Sequence, residues 1–334
     1  MPTEPEADLV RHLVRRGLLP GGTPVEVRLL SGGVSADVFL VTGSGRRLVA
    51  KRALDRLRVR QEWHASPARV LREADALALA RAIRPDNVPE LLDVDEERLV
   101  ITMRAVPATA TNWKADLLAG TAEAEVGRRL GLALADWHST SASDPGSLEA
   151  FADATNFFEL RISPFFLRVA EVHADLRPAI ERVVARLTGR SSCLVHGDFS
   201  PKNVLVEGPG FWVVDWETAH RGDPTFDLAF LVSHLVCKAV HRPALATSYR
   251  ACADAFVGAY LDHSVLDIAT AELIAEIGCL VLARVDGTSP VDYLDADGQA
   301  AARALARRVL LEPPDDLGAL WSAVGTGRLG RGPA

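Results

Sequence analysis

Hydrophobic and polar positions alternate along the first hundred residues in short runs broken by turns. Residues 25–30 (Val-Glu-Val-Arg-Leu-Leu), 38–41 and 48–51 are such runs, separated by Ser31-Gly32-Gly33-Val34-Ser35 and by Thr42-Gly43-Ser44-Gly45. A period near two bounded by glycine turns predicts strands. Residues 67–82 then change period: Val70, Ala74, Leu77 and Ala78 fall on one helical stripe. Residues 87–92 and 98–103 predict two more strands. Beyond Arg104 the helical period dominates. Residues 121–138 place Val126, Leu130, Leu134 and Trp137 on one face, with Glu123 and Glu125 in the first turn. Residues 176–187, 227–239, 249–261 and 269–282 are further helix candidates. The Ser-, Asp- and Gly-rich stretch 139–150 predicts a loop, and 325–334 a frayed tail. The chain is therefore expected to be α+β and bilobal, with an antiparallel sheet and one key helix in residues 1–104. A mainly helical lobe follows in residues 105–330, entered through a linker at 105–108. With 334 residues each lobe has length enough for a core of its own.

The chemistry concentrates between residues 194 and 217. Leu194 and Val195 lead into His196-Gly197-Asp198-Phe199-Ser200-Pro201-Lys202-Asn203. Residues 204–206 and 211–214 follow, joined by Glu207-Gly208-Pro209-Gly210, and then Asp215. The two runs predict an antiparallel hairpin. Asn203 precedes its first strand and Asp215 follows its second, so pairing the strands brings both to one open end, with Asp198 on the loop above. Phosphoryl transfer needs hard oxygen ligands for Mg²⁺ and a carboxylate that orients the acceptor hydroxyl and takes its proton. Asn203 and Asp215 fit the metal role, Asp198 the base, and His196 is placed to hydrogen-bond the loop backbone. Asp and Asn are common turn residues singly; the three together in this strand context carry the signal.

His-Gly-Asp-Phe-Ser-Pro-Lys-Asn followed by Asp-Trp-Glu resembles the catalytic loop and metal triplet of the aminoglycoside phosphotransferase and choline kinase group, small-molecule kinases with a protein-kinase-like fold. The resemblance implies ATP and Mg²⁺ as cofactors, with GTP left open. In 222–229 it implies that Asp227 buttresses the catalytic loop. Lys51, ending Val49-Ala50-Lys51, corresponds to the lysine that holds the nucleotide phosphates. Its fixing carboxylate is expected to be Glu73, a charge inside an apolar helical stripe, with Glu62 as competitor. Ser31, Gly32, Gly33 and Ser35 would cover the phosphates, and Met103 to Ala105 would read the base. Lys202 is placed to neutralise charge on the moving phosphoryl group. The chain departs from many relatives in Phe199-Ser200, where Leu-His is common, and in Trp216-Glu217 after the metal Asp.

Composition narrows the field. Hydrophobic content of 48% and charged content of 24% suit a soluble globular chain, and a net charge of −7 argues against nucleic acid. No apolar run nears twenty residues and no basic-then-apolar leader opens the chain, so no membrane partner and a cytoplasmic location are expected. Four scattered cysteines lack metal or disulfide spacing. A monomer and a homodimer are both open.

The acceptor is expected to be a small-molecule hydroxyl. From Asp254 to Asp297 nine Asp or Glu accompany one Arg, Arg284; such an excess either steers a cationic acceptor such as an aminoglycoside or aminoalcohol or forms a solvated surface. Residues 57–63 and 69–77 with Asn112-Trp113-Lys114 look closer to methylthioribose kinase relatives, which act on an uncharged sugar hydroxyl. Glu217, Arg284 and Asp286 are candidate acceptor contacts; a charge pair between the last two is the structural alternative. A catalytically silent small-molecule-binding module is the alternative function. The lack of Asp-Phe-Gly and Ala-Pro-Glu after Asp215 disfavours a protein kinase.

Overall fold

The computed structural model describes residues 4–30, 36–54 and 66–326. Ser31, Gly32, Gly33, Ser35 and Glu62 lie outside the described residues. Five antiparallel strands, β1 (Glu26–Leu29), β2 (Ala36–Gly43), β3 (Arg46–Ala53), β4 (Leu91–Asp95) and β5 (Val100–Arg104), form one sheet in the order β1-β2-β3-β5-β4. Positive φ at both Ser44 and Gly45 gives the β2–β3 hairpin the tight two-residue turn that matches strand twist. Helix α1 (Glu4–Arg15), which was not anticipated, covers the outer face with Leu9 and Leu13 against Val41, Leu48 and Ala50. Helix α2 (Arg69–Ile83) covers the inner face. Ala76 and Ala80 are buried there, whereas Ala78 is exposed.

Two cores were expected to follow the two lobes, and they do not. The outer-face core is small and separate, but the inner face (Ala53, Ile101, Met103 with Val70, Ala74 and Leu77) is continuous with the core of the helical lobe. Strand β4 also starts later than expected. Residues 87–90 form a loop instead, in which Asn87 accepts from Val213 N at 2.9 Å and donates to Phe211 O at 3.1 Å. That loop staples the hairpin of residues 204–213 to the sheet.

The rest of the chain is mainly helical. Strand β6 (Thr111–Asn112) leads to α3 (Trp113–Ala119) and α4 (Ala124–Ser143). A 3-10 stretch over Pro145–Phe151 then stands where a loop was expected. Between α5 (Thr155–Phe157) and α6 (Arg168–Val172) the backbone widens into a π-helix over Phe158–Leu167, around Pro164, which has no N–H to give a regular ladder. Next come α7 (Arg177–Gly189), β7 (Cys193–Val195), the hairpin β8 (Val204–Glu207) and β9 (Gly210–Val213), and β10 (His220–Gly222) against β7. Helices α8 (Thr225–His241), α9 (Ala246–His263), α10 (Thr270–Asp286), α11 (Ala296–Leu311) and α12 (Leu317–Thr326) complete the lobe. The last two were not anticipated. No described helix is long and apolar enough to cross a membrane. All four cysteines are free and buried.

Candidate active site

The candidate catalytic loop is built by a glycine and a buried carboxylate. After β7 the chain turns at Gly197 with φ +76°, and a Cβ there would lie 2.7 Å from Thr218 O, so only glycine fits. The amides of His196 and Gly197 donate to the two carboxylate oxygens of Asp227 at 2.7 and 3.0 Å. Asp227 sits in the first turn of α8 and is fully buried. His138 Nε2 lies 3.3 Å from the same carboxylate, and its Nδ1 lies 3.0 Å from Tyr260 Oη. The His196 ring accepts from Asp198 N through Nδ1 at 3.1 Å, so its proton is on Nε2, 3.2 Å from Val214 O. Burial lowers the His196 pKa and keeps that tautomer neutral.

Held this way, Asp198 is nearly buried and meets Arg161 Nη2 at 3.0 Å and Lys202 Nζ at 2.8 Å. Burial opposes its charge, but Arg161 and then Lys202 outweigh burial and keep its pKa below the usual carboxylate range. Arg161 also donates to Gly197 O at 2.7 Å. It comes from the π-helical stretch, and the sequence reading missed it. A lone arginine inside Phe-Phe-Glu-Leu-Arg-Ile-Ser-Pro-Phe-Phe was the available signal, because a charge in an apolar run needs a partner. Asn112, also missed, donates to Lys202 O at 2.6 Å.

Across the hairpin mouth, Val214 N donates to Asn203 O at 3.0 Å, which joins the two ends as the register required. Asn203 Nδ2 donates to Asp198 O at 3.0 Å, leaving its carbonyl oxygen for a ligand. Asp215 adopts φ +68°, an unusual conformation for a residue other than glycine and the kind of strain found at functional positions. Its carboxylate is bound by Lys51, which reaches down from β3 and also meets Glu73 at 2.6 Å and Glu217 at 3.7 Å. Arg69, another residue missed in sequence, holds Glu217 at 3.2 Å.

Burial works against the Lys51 charge, but Asp215, Glu73 and Glu217 override it and raise its pKa. Asp215 moves the other way, since Lys51 and Lys202 outweigh its burial. Glu73 is pushed up to about 7, chiefly by burial. Oxygens of Glu73, Asp215 and Glu217 lie within 4.8 Å of one another around that single ammonium. Such an excess of hard oxygen anions fits a divalent cation, with Asn203 as a neutral ligand.

Met103 is buried on β5, and the Ala105 amide is taken by Arg47 O at 3.0 Å. Arg284 is buried between aromatic rings, while Asp286 is held by His173 at 2.8 Å and Arg303 at 2.7 Å, so these two do not pair with each other. Glu217 stands with Lys51 rather than with Arg284.

Fold and site together define a bilobal phosphotransferase architecture, and comparison with known proteins agrees. Residues 26–261 match the phosphotransferase enzyme family (APH), and the chain belongs to that family. Methylthioribose kinase 2 of Oryza sativa subsp. japonica is 24% identical over 228 residues, which are 60% of this chain and 53% of the rice protein. The chain thus spans about half the length of the curated relatives it matches. A choline/ethanolamine kinase family protein from Mesorhizobium loti superposes with a TM-score of 0.56 at 19% identity, covering 96% of this chain and 99% of the other. An amicoumacin kinase in complex with AMP-PNP, Ca²⁺ and Ami gives 0.55 at 12% identity, covering 94% and 98%. At these identities the likeness is one of fold.

Proposed function

We propose that the protein transfers the γ-phosphoryl group of Mg²⁺·ATP to a hydroxyl of a small molecule. One observation carries this reading: Lys51 of the sheet, fixed by Glu73, meets Asp215 of the helical lobe beside the Asp198–Asn203 loop. An ammonium, a carboxylate-rich cation site and a buried carboxylate base at one cleft are the parts such a transfer requires. The nucleotide found with the amicoumacin kinase neighbour supports ATP as donor.

Asp215, Glu217 and the Asn203 amide oxygen are the residues that would hold magnesium. Magnesium there would neutralise charge on the phosphate oxygens. Lys51 holds the nucleotide phosphates and Glu73 holds Lys51. Asp198 orients the acceptor hydroxyl. Its depressed pKa keeps it ionised and hydrogen-bonded to that hydroxyl, and it takes the proton as the oxygen–phosphorus bond forms. Residues 105–108 serve as the hinge between the lobes.

The test is Asp198→Asn, measured by ADP release and by nucleotide binding. Turnover is expected to fall about 10³-fold or more, with nucleotide affinity within about threefold. Wild-type turnover in this variant would remove Asp198 from the mechanism.

A further inference from the structure

The helical side of the cleft carries a second cluster that the phosphotransfer machinery does not use. Lys238 of α8 is fully buried, and its ammonium has one hydrogen-bond partner among the described residues, the His234 carbonyl of its own helix at 3.4 Å. Arg284 of α10 is buried too, with its guanidinium 4.6 Å from the Phe165 ring centre and 4.9 Å from that of Phe230. One Arg284 nitrogen donates to Ser289 O at 3.3 Å, and Nε has no partner among the described residues. No described carboxylate lies within ion-pair distance of Lys238 or Arg284. Tyr293 Oη and His234 Nε2 are likewise buried without described partners.

The cluster adjoins the catalytic loop. Arg161, which binds the Asp198 carboxylate, lies 5.6 Å from the same two rings as Arg284. Lys114 lies over the Tyr293 ring at 6.0 Å, and its only described ion-pair partner, Asp292 at 3.7 Å, is exposed. Burial, and after it the charges of Arg284, Lys238, Lys202 and Lys114, drive the His234 pKa down, as expected where positive charge is uncompensated. Buried cations without partners are unfavourable, and proteins keep them where a ligand supplies the missing charge. Three acids of the segment that would have favoured a cationic acceptor are engaged elsewhere: Glu272 pairs with Arg190, Glu276 with Arg186, and Asp286 with His173 and Arg303, which leaves the exposed Asp292 as the acid of that segment beside Lys114.

We propose that the acceptor is a small hydroxylated anion whose carboxylate or phosphate group is bound by Arg284 and Lys238 while its hydroxyl meets Asp198. This rests on the phosphotransferase reading above. In the reaction the acceptor oxygen forms a bond to the γ-phosphorus and the bond from that phosphorus to the bridging oxygen breaks. ADP leaves with that electron pair, and the hydroxyl proton passes to Asp198.

The experiment is ADP release from Mg²⁺·ATP with four acceptor panels: hydroxycarboxylates, sugar phosphates, neutral sugars, and aminoglycosides with aminoalcohols. Wild-type protein is compared with Arg284→Gln and Lys238→Met, the second being an apolar near-isostere that keeps the helix packed. Turnover is expected only with anionic panels, and which of the two responds identifies carboxylate or phosphate. Each variant should raise the acceptor KM about tenfold or more with kcat within about threefold. A cationic or neutral acceptor with the highest kcat/KM, or an unchanged KM in both variants, would overturn the proposal while leaving the kinase reading intact. If no panel releases ADP, calorimetry decides, with inorganic phosphate and malate titrated into protein loaded with Mg²⁺·AMP-PNP. Binding of either that Arg284→Gln weakens about tenfold upholds the anion site, and no such binding rejects it. Failure to bind AMP-PNP at all would instead reject the phosphotransferase reading.

Discussion

Two charged clusters adjoin the Asp198 loop with opposite balance. Around Lys51 three carboxylates, Glu73, Asp215 and Glu217, outnumber two cations, Lys51 itself and the Arg69 that holds Glu217. Around Arg284 and Lys238 no described carboxylate lies within ion-pair distance of the buried cations; Asp198 and Asp292 act on them only from farther away. Neither cluster is neutral by itself, and on the proposed reading opposite ligands meet the two imbalances: a divalent cation with its nucleotide on the first side, an anion on the second. Asp198 stands between them, tied to Arg161 on the cationic side and, through its carbonyl, to the metal-side Asn203. A buried ion pair by itself says little about function, since desolvation offsets much of its attraction. A buried imbalance says more, because it is relieved either by a ligand or by a change of protonation.

The largest effect on this comparison is expected at Lys51. Lys51→Met removes the ammonium that meets Glu73 and Asp215, leaving Arg69 on Glu217, and should lower turnover by about 10³-fold, read by ADP release under saturating ATP. Turnover within tenfold of wild type would show that the carboxylate cluster is structural. Next in size is a pH effect on the opposite side. Burial lowers the Lys238 pKa from 10.5 to about 7, with Cys237 and Asp292 acting to raise it and Lys114 and Arg284 to lower it; Tyr293 faces it from the same side. Between these values the unfolded chain binds more protons than the folded one, so stability rises with pH from about 7 to 10.5; below 7 the full penalty persists. In ligand-free protein, Lys238→Met should remove a rising limb on the order of a few kcal/mol from denaturant midpoints followed over this window. Parallel pH profiles for variant and wild type would mean that Lys238 is already compensated. The smallest change is expected at Asp292, which is exposed beside Lys114. Asp292→Asn should shift stability by less than about 0.5 kcal/mol in urea melts, and a larger loss would make it a true counter-ion of the cluster.

How much of this was legible in the sequence follows from distance along the chain. The hairpin, Asn203, Asp215 and the loop around Asp198 lie within a score of residues, so turn chemistry and strand period locate them. Glu73 was readable because a charge inside an apolar helical stripe demands a partner, and Lys51 supplied it at 2.6 Å. Boundaries shifted where long-range contacts overrode local pattern, as when Asn87 bonded to the catalytic hairpin and delayed β4. Helix α1 was legible and was passed over: Leu9, Val10, Leu13 and Val14 recur at helical spacing, with Glu4 and Glu6 in the first turn. Arg161 and Lys238 escaped for another reason: each is the one Lys or Arg of an apolar helical stretch, and its meaning depends on which element packs opposite, which no local period encodes. The same limit hid Arg69, whose partner Glu217 lies far along the chain.

The division of the cleft is tested most directly by the magnesium dependence of AMP-PNP binding, measured by calorimetry in wild-type protein, Asp215→Asn and Arg284→Gln. The account predicts that magnesium tightens binding in the wild type, that Asp215→Asn loses this effect, and that Arg284→Gln keeps it in full. An undiminished magnesium effect in Asp215→Asn, or its loss in Arg284→Gln, would contradict the assignment of opposite ligands to the two clusters.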